Sequence, residues 1–305
     1  DKSENIWLGT ADEGAIIWQS KTRTFTNLTT QQGLANNGIE EIIADSWGNV
    51  WLGTSGGGVS KYSGQQFEHF TTREGLHSNY IKAIEKDEKG QIWVATSENG
   101  VQVYTGGEFQ NFSDNSTLNN TTCQAVFADK YGHLWFGTDK GLTVFLDSLY
   151  LTFTIDNGLA GNSISKISQD TLGNIWAVSA NEGITKIIWN DSLPSQSAFT
   201  KFTAENGLPN NRINDLHIDQ KNSVWVATNG GGIALIDGEQ VSKNFTKREG
   251  LLENVIRSFS EDELGYLWYG TASFGIGNIR LYENDFTINN NYKNLTSSNI
   301  KLLKN

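Results

Sequence analysis

The residues best suited to chemistry are few and lie far apart in the sequence. The histidines fall on different predicted strands or loops, and no His-x-His or His-Glu-x-x-His spacing of the kind used by metal sites occurs. The single cysteine, Cys123, occupies an apolar strand position, and no phosphate-binding loop or Gly-x-Ser-x-Gly elbow is present. We therefore expect no catalytic residue, no metal and no cofactor. The histidines are His69, His77, His133 and His217.

Aspartates recur six positions before a series of tryptophans. Seven carboxylates at one position could suggest calcium ligands, but one per repeat places them too far apart to share an ion. Asp followed by Gly three residues later, as at Asp87 and Gly90, is typical of a turn in which the carboxylate caps backbone N–H groups. We interpret the series as turn caps: Asp1, Asp45, Asp87, Asp129, Asp170, Asp219 and Asp262.

The tryptophans belong to a hexad, such as 49–54, that occurs seven times. Successive Trp residues lie 44, 42, 42, 41, 49 and 43 positions apart, a period typical of a solenoid or a propeller. Three successive apolar residues in the hexad predict a strand that is covered on both faces. Gly or Ala usually follows these apolar residues, which would let a neighbouring sheet approach closely. A residue with a hydroxyl group comes next. The series is Trp7, Trp51, Trp93, Trp135, Trp176, Trp225 and Trp268.

Each repeat predicts a four-stranded antiparallel meander followed by a long link to the next repeat. The link carries a Gly-Leu pair whose Leu precedes the next Trp by 17 residues, as for Leu34 and Trp51. Such a link suits a crossing from the outer strand of one sheet to the inner strand of the next. An Asn follows this pair, and we interpret it as a backbone cap. These residues are Asn37, Asn79, Asn162, Asn211 and Asn254.

The last residues have the pattern of the strand that the first repeat lacks. We therefore predict an all-β fold, with one seven-bladed β-propeller over 1–305 whose ring is closed when the C-terminal strand joins the N-terminal blade. The 32 glycines and two prolines fit many short strands joined by tight turns. The predicted blades are 299–305 with 1–28, then 37–70, 79–112, 121–153, 162–202, 211–245 and 254–288.

The innermost predicted strands carry a polar residue eleven positions before each Trp, which we assign to the wall of the central channel. The residues two positions earlier are expected at the mouth of this channel. Among them, Tyr80 could stack on the face of a sugar and Arg212 could bind a carboxylate. Basic groups outnumber acidic ones at these two positions, so we expect a polar ligand and, more specifically, an acidic saccharide. The channel candidates are Glu40, Lys82, Gln124, Asn214, Arg257 and Lys301.

Two features fall outside the repeat pattern. The 49-residue step contains an insertion at 190–197, which we expect to project from the face opposite the Gly-Leu links. Trp47 lies in a turn and is expected to be exposed. The formal charge of −11 argues against binding to nucleic acid or to an anionic membrane surface, since both need basic surface, and no apolar run is long enough for membrane insertion.

The Trp-Gly-Thr repeat, with its Gly-Leu link and Asp-x-x-Gly turn, resembles the two-component regulator propeller family. The pattern is clearest from Gly75-Leu76 through Asp87 to Trp93, and the resemblance extends over all seven repeats. It implies a periplasmic or extracellular sensor region of a hybrid histidine kinase. Family members commonly have about fourteen repeats, so this chain is expected to be an excised sensor domain or a free-standing protein.

These observations lead to one expected function and two alternatives. We expect a non-catalytic sensing propeller that binds a small polar ligand or oligosaccharide and works with a neighbouring domain or a second copy. One alternative is a protein-interaction platform. The other is an enzyme similar to the streptogramin lyases.

Overall fold

The computed structural model describes residues 5–19, 21–98, 100–112, 118, 122–146, 149–262, 264–282, 285–290 and 300–304, of which 281, 282, 285 and 300–304 are described by their backbone alone. Seven antiparallel sheets of four strands follow one another along the chain. The predicted seven-bladed propeller is therefore confirmed.

The first two strands of each sheet form the inner half of the blade. The innermost strands are β4 (Ile39–Ala44), β8 (Ile81–Lys86), β12 (Cys123–Ala128), β16 (Ile164–Gln169), β20 (Ile213–Ile218), β24 (Ile256–Glu261) and β28 (Ile300–Lys304). The strands that carry the Trp series are β1 (Ile6–Thr10), β5 (Val50–Thr54), β9 (Ile92–Thr96), β13 (Leu134–Thr138), β17 (Ile175–Ser179), β21 (Val224–Thr228) and β25 (Tyr266–Thr271).

The other two strands form the outer half. The third strands are β2 (Ala15–Gln19), β6 (Val59–Tyr62), β10 (Val101–Thr105), β14 (Gly141–Leu146), β18 (Gly183–Ile188), β22 (Ile233–Asp237) and β26 (Ile276–Tyr282). The outermost strands are β3 (Thr24–Leu28), β7 (Phe67–Phe70), β11 (Glu108–Asn111), β15 (Leu149–Phe153), β19 (Ala198–Phe202), β23 (Gln240–Phe245) and β27 (Asp285–Asn289).

The ring is closed by the C-terminal strand, as predicted. β28 pairs with β1 in an antiparallel register that places Leu303 opposite Leu8 and Lys304 opposite Trp7. The sheet order β28-β1-β2-β3 gives this blade the same four strands as the other six. Closure leaves the inner edge of β1 paired, which removes the exposed edge that an open sheet would present.

The hydrophobic core lies between neighbouring blades. One cluster contains Trp135 and Val144 of one sheet together with Ile164 and Ile175 of the next. Close approach depends on a small residue after the Trp, because a Cβ added at Gly53 would lie 2.6 Å from the Ile81 side chain of the next blade. The role expected for the Gly or Ala position is thus confirmed.

The aspartate series caps its turns and also holds the tryptophans. In the blade of β5, Asp45 Oδ1 accepts hydrogen bonds from the backbone N–H groups of Trp47 and Asn49, while Oδ2 accepts from the Trp51 indole at 3.0 Å. The indole bond recurs at 2.9 to 3.1 Å in all six blades where the aspartate is described. Asp1 lies outside the described residues. The capping role is confirmed, and the bond to Trp is an additional finding.

The Gly-Leu links are built as capped 3-10 turns. In the link after β7, the Thr71 hydroxyl and backbone N–H both donate to Glu74, and Gly75 ends the turn in the left-handed conformation with φ 101°. The Asn79 side-chain oxygen accepts from the Thr72 N–H at 2.8 Å, and the same bond recurs in the other four links. This confirms the capping role of the Asn series. The turns are Thr30–Gln32, Thr72–Glu74, Ile155–Asn157, Ala204–Asn206 and Lys247–Glu249.

The insertion between β18 and β19 is tied to the preceding blade. It contains the short 3-10 helix Pro194–Gln196. At its start Trp189 packs edge-on against Trp135 with ring centroids 4.9 Å apart, and Asp191 lies 3.2 Å from Nε2 of His133. The other ring nitrogen of His133 faces Asp129 at 2.9 Å. The insertion therefore connects two blades at the end of the ring that carries the Asp-capped turns, which we call the Asp-turn end.

Trp47 is 75% exposed, as expected from its place in a turn. Within the described part of the chain, no helix has the length and apolar character needed to cross a membrane.

We expect the substitution Asp45→Asn to destabilise the fold by about 1–3 kcal/mol, because an amide NH₂ replaces one carboxylate acceptor and leaves the buried Trp51 indole N–H without a partner. Urea unfolding would measure the loss. The exposed Asp156→Asn makes the same change of charge and should alter the unfolding free energy by less than about 0.5 kcal/mol. Equal effects of the two substitutions would contradict the assigned role.

The same carboxylate gives a pH dependence. Burial raises the pKa of Asp45, but hydrogen bonds from Trp51, Asn49 and Trp47 outweigh burial and hold the pKa below its ordinary value of 3.8. A lowered folded-state pKa stabilises the protein above the unfolded value, and this contribution is lost as the pH falls through the folded value. The stability difference between wild type and Asp45→Asn should be constant near neutral pH and shrink below pH 3.8. Urea unfolding across a pH series measures it, and a difference that grows on acidification would refute it.

Candidate functional site

The inner strands carry a β-bulge at one repeated position. In all six inner strands with described side chains, the register with the Trp strand shifts across a single residue, which is the residue eleven positions before Trp. A bulge places two residues opposite one and turns the strand locally. The apolar residues on either side of the bulge, such as Ile39 and Ile42, are therefore both buried although they are three positions apart.

The bulges surround a central cavity of about 530 Å³. Two successive residues of each of these six strands, eleven and ten positions before Trp, reach its wall. Further lining comes from β8, β12 and β16 one step deeper, at Glu85, Phe127 and Ser168. The volume lies within the range typical of small-molecule sites. The bulge residues on the wall are Glu40, Glu41, Lys82, Ala83, Gln124, Ala125, Ser165, Lys166, Asn214, Asp215, Arg257 and Ser258.

The structure brings together five of the eight predicted ligand residues. Those five lie on the cavity wall, whereas Tyr80 and Arg212 are exposed at the start of their strands and Lys301 lies in β28, whose side chains are not described. Tyr80 is 58% exposed, and its ring lies against Gly56 of the preceding blade. The five on the wall are Glu40, Lys82, Gln124, Asn214 and Arg257.

Sequence reasoning missed the second residue of each bulge. A simple strand would turn the residue ten positions before Trp away from the channel, but the bulge brings Glu41, Lys166, Asp215 and Ser258 to the wall. The signal was present in the apolar spacing of three, which ordinary strand alternation cannot produce. With these residues and Glu85 included, four acidic groups face three basic ones, so the described lining lacks the basic excess expected from two positions alone.

Asp215 joins three neighbouring blades at the wall. It is 3% exposed, and its carboxylate forms an ion pair with Lys166 of β16. The same carboxylate accepts hydrogen bonds from the N–H groups of Leu216 at 2.8 Å and of Phe259 in β24 at 2.7 Å. A buried carboxylate with three donors is well compensated for its loss of hydration. It braces β16, β20 and β24 against one another.

The other candidates for chemistry are placed apart. Burial raises the pKa of the Cys123 thiol to about 12, so the thiol is protonated at neutral pH and serves as a core residue. His217 lies 3.1 Å from Glu261, and His69 lies 3.1 Å from the Ser60 hydroxyl. Among the residues that the structure describes, no group of three His, Cys, Asp or Glu side chains is arranged to hold a metal ion.

Comparison with known proteins agrees with the repeat pattern. The family model described as "Two component regulator propeller" matches residues 75–98, 117–140 and 207–230. The three matched stretches are similar to two-component regulator propeller repeats. Each matched stretch runs from the Gly-Leu pair, or its looser copy at Thr117-Leu118, to the turn after the Trp strand, which confirms the resemblance found in the sequence.

A curated relative and two solved structures show similarity of different extent. Histidine kinase P4 of Formosa agariphila is 39% identical over 56 residues, which cover 17% of this chain and 4% of that protein. The extracellular domain described as part of a hybrid two component system, BT4673 from B. thetaiotaomicron, matches 94% of this chain and 53% of its own, at 19% identity and a TM-score of 0.50.

Virginiamycin B lyase from Staphylococcus aureus is also similar in fold. It matches at 14% identity with a TM-score of 0.66, over 86% of each chain. At these identities the structural matches establish the propeller fold alone. The chain spans about half the length of the hybrid-system domain and a small part of the curated kinase.

We expect Asp215→Ala to destabilise the propeller more than Lys166→Met does. The first substitution leaves the Phe259 N–H and the Lys166 ammonium without an acceptor, whereas the second leaves Asp215 with two backbone donors. Losses of roughly 2–4 and 1–2 kcal/mol are expected, because Lys166 is partly exposed. Urea unfolding of both variants and of the double variant measures the coupling, and the reverse order of stability would rule out the proposed brace.

Proposed function

We propose that this chain is the ligand-binding propeller of a two-component sensor and lies outside the cytoplasm. The observation that carries the proposal is a polar cavity of about 530 Å³ at the centre of a ring in which three stretches match the two-component regulator propeller model. The similarity in fold to an extracellular domain supports the same role, as does the 39% sequence identity to a histidine kinase over 56 residues. We extend the proposal to any longer protein that contains this chain, which would act as a two-component sensor.

A polar saccharide, neutral or acidic, suits the wall chemistry. Gln124, Ser165 and Asn214 offer hydrogen-bonding groups, the carboxylates accept from hydroxyls, and Ala83 and Ala125 supply apolar surface. Tyr80 and Arg212 at the mouth provide an exposed aromatic face and an exposed guanidinium on the approach from the Gly-Leu side. No step of this role requires bond cleavage, so we propose a non-catalytic module.

A bound ligand would act by favouring one arrangement of the propeller relative to its neighbours. Ligand can shift such an equilibrium only by its difference in affinity between the two states. Inner strands from several blades form the cavity wall. A ligand that contacts several of these strands at once would favour the arrangement in which the strands lie closest to one another. A neighbouring domain or a second copy of the chain would detect that change at its contact surface.

A protein-interaction platform is the second candidate, and exposed apolar residues favour it. At the Asp-turn end, the residue two positions after the capping aspartate is large, apolar and exposed in four blades. Large apolar side chains exposed at one end of a fold are of the kind that interaction sites use. The residues are Trp47, Tyr131, Leu172 and Leu264, which are 75%, 56%, 74% and 74% exposed.

Calorimetric titration with matched neutral and acidic oligosaccharides tests the sensing role. We expect saturable binding of one ligand per chain, weakened about 3- to 30-fold by Gln124→Ala, because one or two hydrogen bonds at the wall are lost. Gln110→Ala, on the exposed outer strand β11, is the matched control and should bind as wild type does. Absence of binding to any saccharide, together with capture of a partner protein that Trp47→Ser abolishes, would favour the platform instead.

A further inference from the structure

The cavity wall contains a pair of neighbouring residues whose polar side-chain groups have no protein partner among the residues that the structure describes. Among the described residues, the ion pairs and hydrogen bonds leave the Arg257 guanidinium without a carboxylate or carbonyl contact, although it is partly buried. Ser258, the next residue, is 1% exposed, and its hydroxyl is without a hydrogen-bond partner in the described structure. Both residues line the cavity. A half-buried cation beside an unsatisfied buried hydroxyl costs stability unless a ligand completes it.

The backbone that carries this pair is fixed on both sides by the preceding blade. The Asn214 side-chain amide donates to the Ile256 carbonyl oxygen at 2.6 Å, and the Phe259 N–H donates to Asp215 at 2.7 Å. The two anchored residues directly flank Arg257 and Ser258, which form the bulge of β24. The bulge is therefore held in place before any ligand arrives, which lowers the entropy lost on binding.

The fold itself does not require a hydroxyl at position 258. The equivalent positions of β8 and β12 are Ala83 and Ala125, and both are buried in the same bulge geometry. An alanine is thus compatible with the backbone at this point of the blade. A serine whose hydroxyl has no hydrogen-bond partner in the described part of the chain is better explained by contact with a ligand, which rotation about its Cα–Cβ bond would allow.

We propose that Arg257 and Ser258 form an oxyanion-binding site in the wall of the central cavity, the anchor, and that the anchor binds the carboxylate of a uronic-acid saccharide. This inference rests on the proposed saccharide-binding function. The guanidinium can donate two parallel hydrogen bonds to one carboxylate, and the serine hydroxyl can donate a third. A singly charged carboxylate is favoured over a phosphate dianion because Glu40, Glu41, Glu85 and Asp215 already place negative charge around the cavity.

Titration with D-glucuronate and D-glucose tests the anchor, because these sugars differ only in a carboxylate in place of a hydroxymethyl group. We expect wild type to prefer glucuronate by about tenfold or more, and Arg257→Gln to abolish this preference while still binding glucose. Arg248→Gln removes an exposed guanidinium from a Gly-Leu link and should keep the preference. Equal affinity of wild type for the two sugars would overturn the anchor and leave saccharide binding intact.

Ser258→Ala separates a ligand contact from a structural one. We expect it to weaken glucuronate binding about three- to tenfold and to leave the Tm of the free protein unchanged or higher, because an unsatisfied hydroxyl is removed. A lower Tm with unchanged affinity would show a structural role and refute the assignment of Ser258. Acetate and sulfate complete the test: Arg257-dependent binding of these ions without binding of either sugar would retain the anion site but overturn the uronate ligand and the proposed function.

Discussion

The hydrogen bond from the Trp indole to the Asp carboxylate is the interaction on which each blade depends. A tryptophan packed between two sheets contributes a large apolar surface, but its N–H must find an acceptor when it is buried. The aspartate six positions earlier supplies that acceptor and uses its second oxygen to close the turn between the inner two strands. One side chain thereby fixes both the turn and the orientation of the main packing residue, so the spacing of six cannot vary.

The constraint extends from the blade to the ring. Because the Trp is held at one depth, the Gly or Ala that follows it meets the inner strand of the next blade at close range, as Gly53 does with Ile81. The Gly-Leu link then has to span a fixed distance, which explains the constant 17 residues between Leu and Trp. Seven units built in this way join end to end only if the last strand completes the first sheet, which β28 does.

Much of this architecture could be predicted because it repeats. The Asn79 cap and the Asp87 turn each follow from a residue type that recurs at one position and has a known local preference, and the closure of the ring follows from a C-terminal segment with the pattern of an inner strand. The bulge was not predicted, because regular strand alternation was assumed across it, although the spacing of three between apolar residues such as Ile39 and Ile42 carries its signal. The contact between Trp189 and Trp135 was also beyond prediction, because an insertion that occurs once has no pattern from which its partner could be read.

The cavity wall differs from the blades in what the fold demands of it. The bulge needs an extra residue at each inner strand but places few limits on its type, and the wall accordingly holds carboxylates, amides, alanines and cations in turn. Some of these choices still serve the structure, as the bonds of Asp215 to Leu216 and Phe259 show. Arg257 and Ser258 are different, because their polar groups add nothing to the folded chain among the described residues. Where a polar group is not required by packing and does not stabilise the folded chain, contact with a ligand in the cavity is the simplest explanation for it.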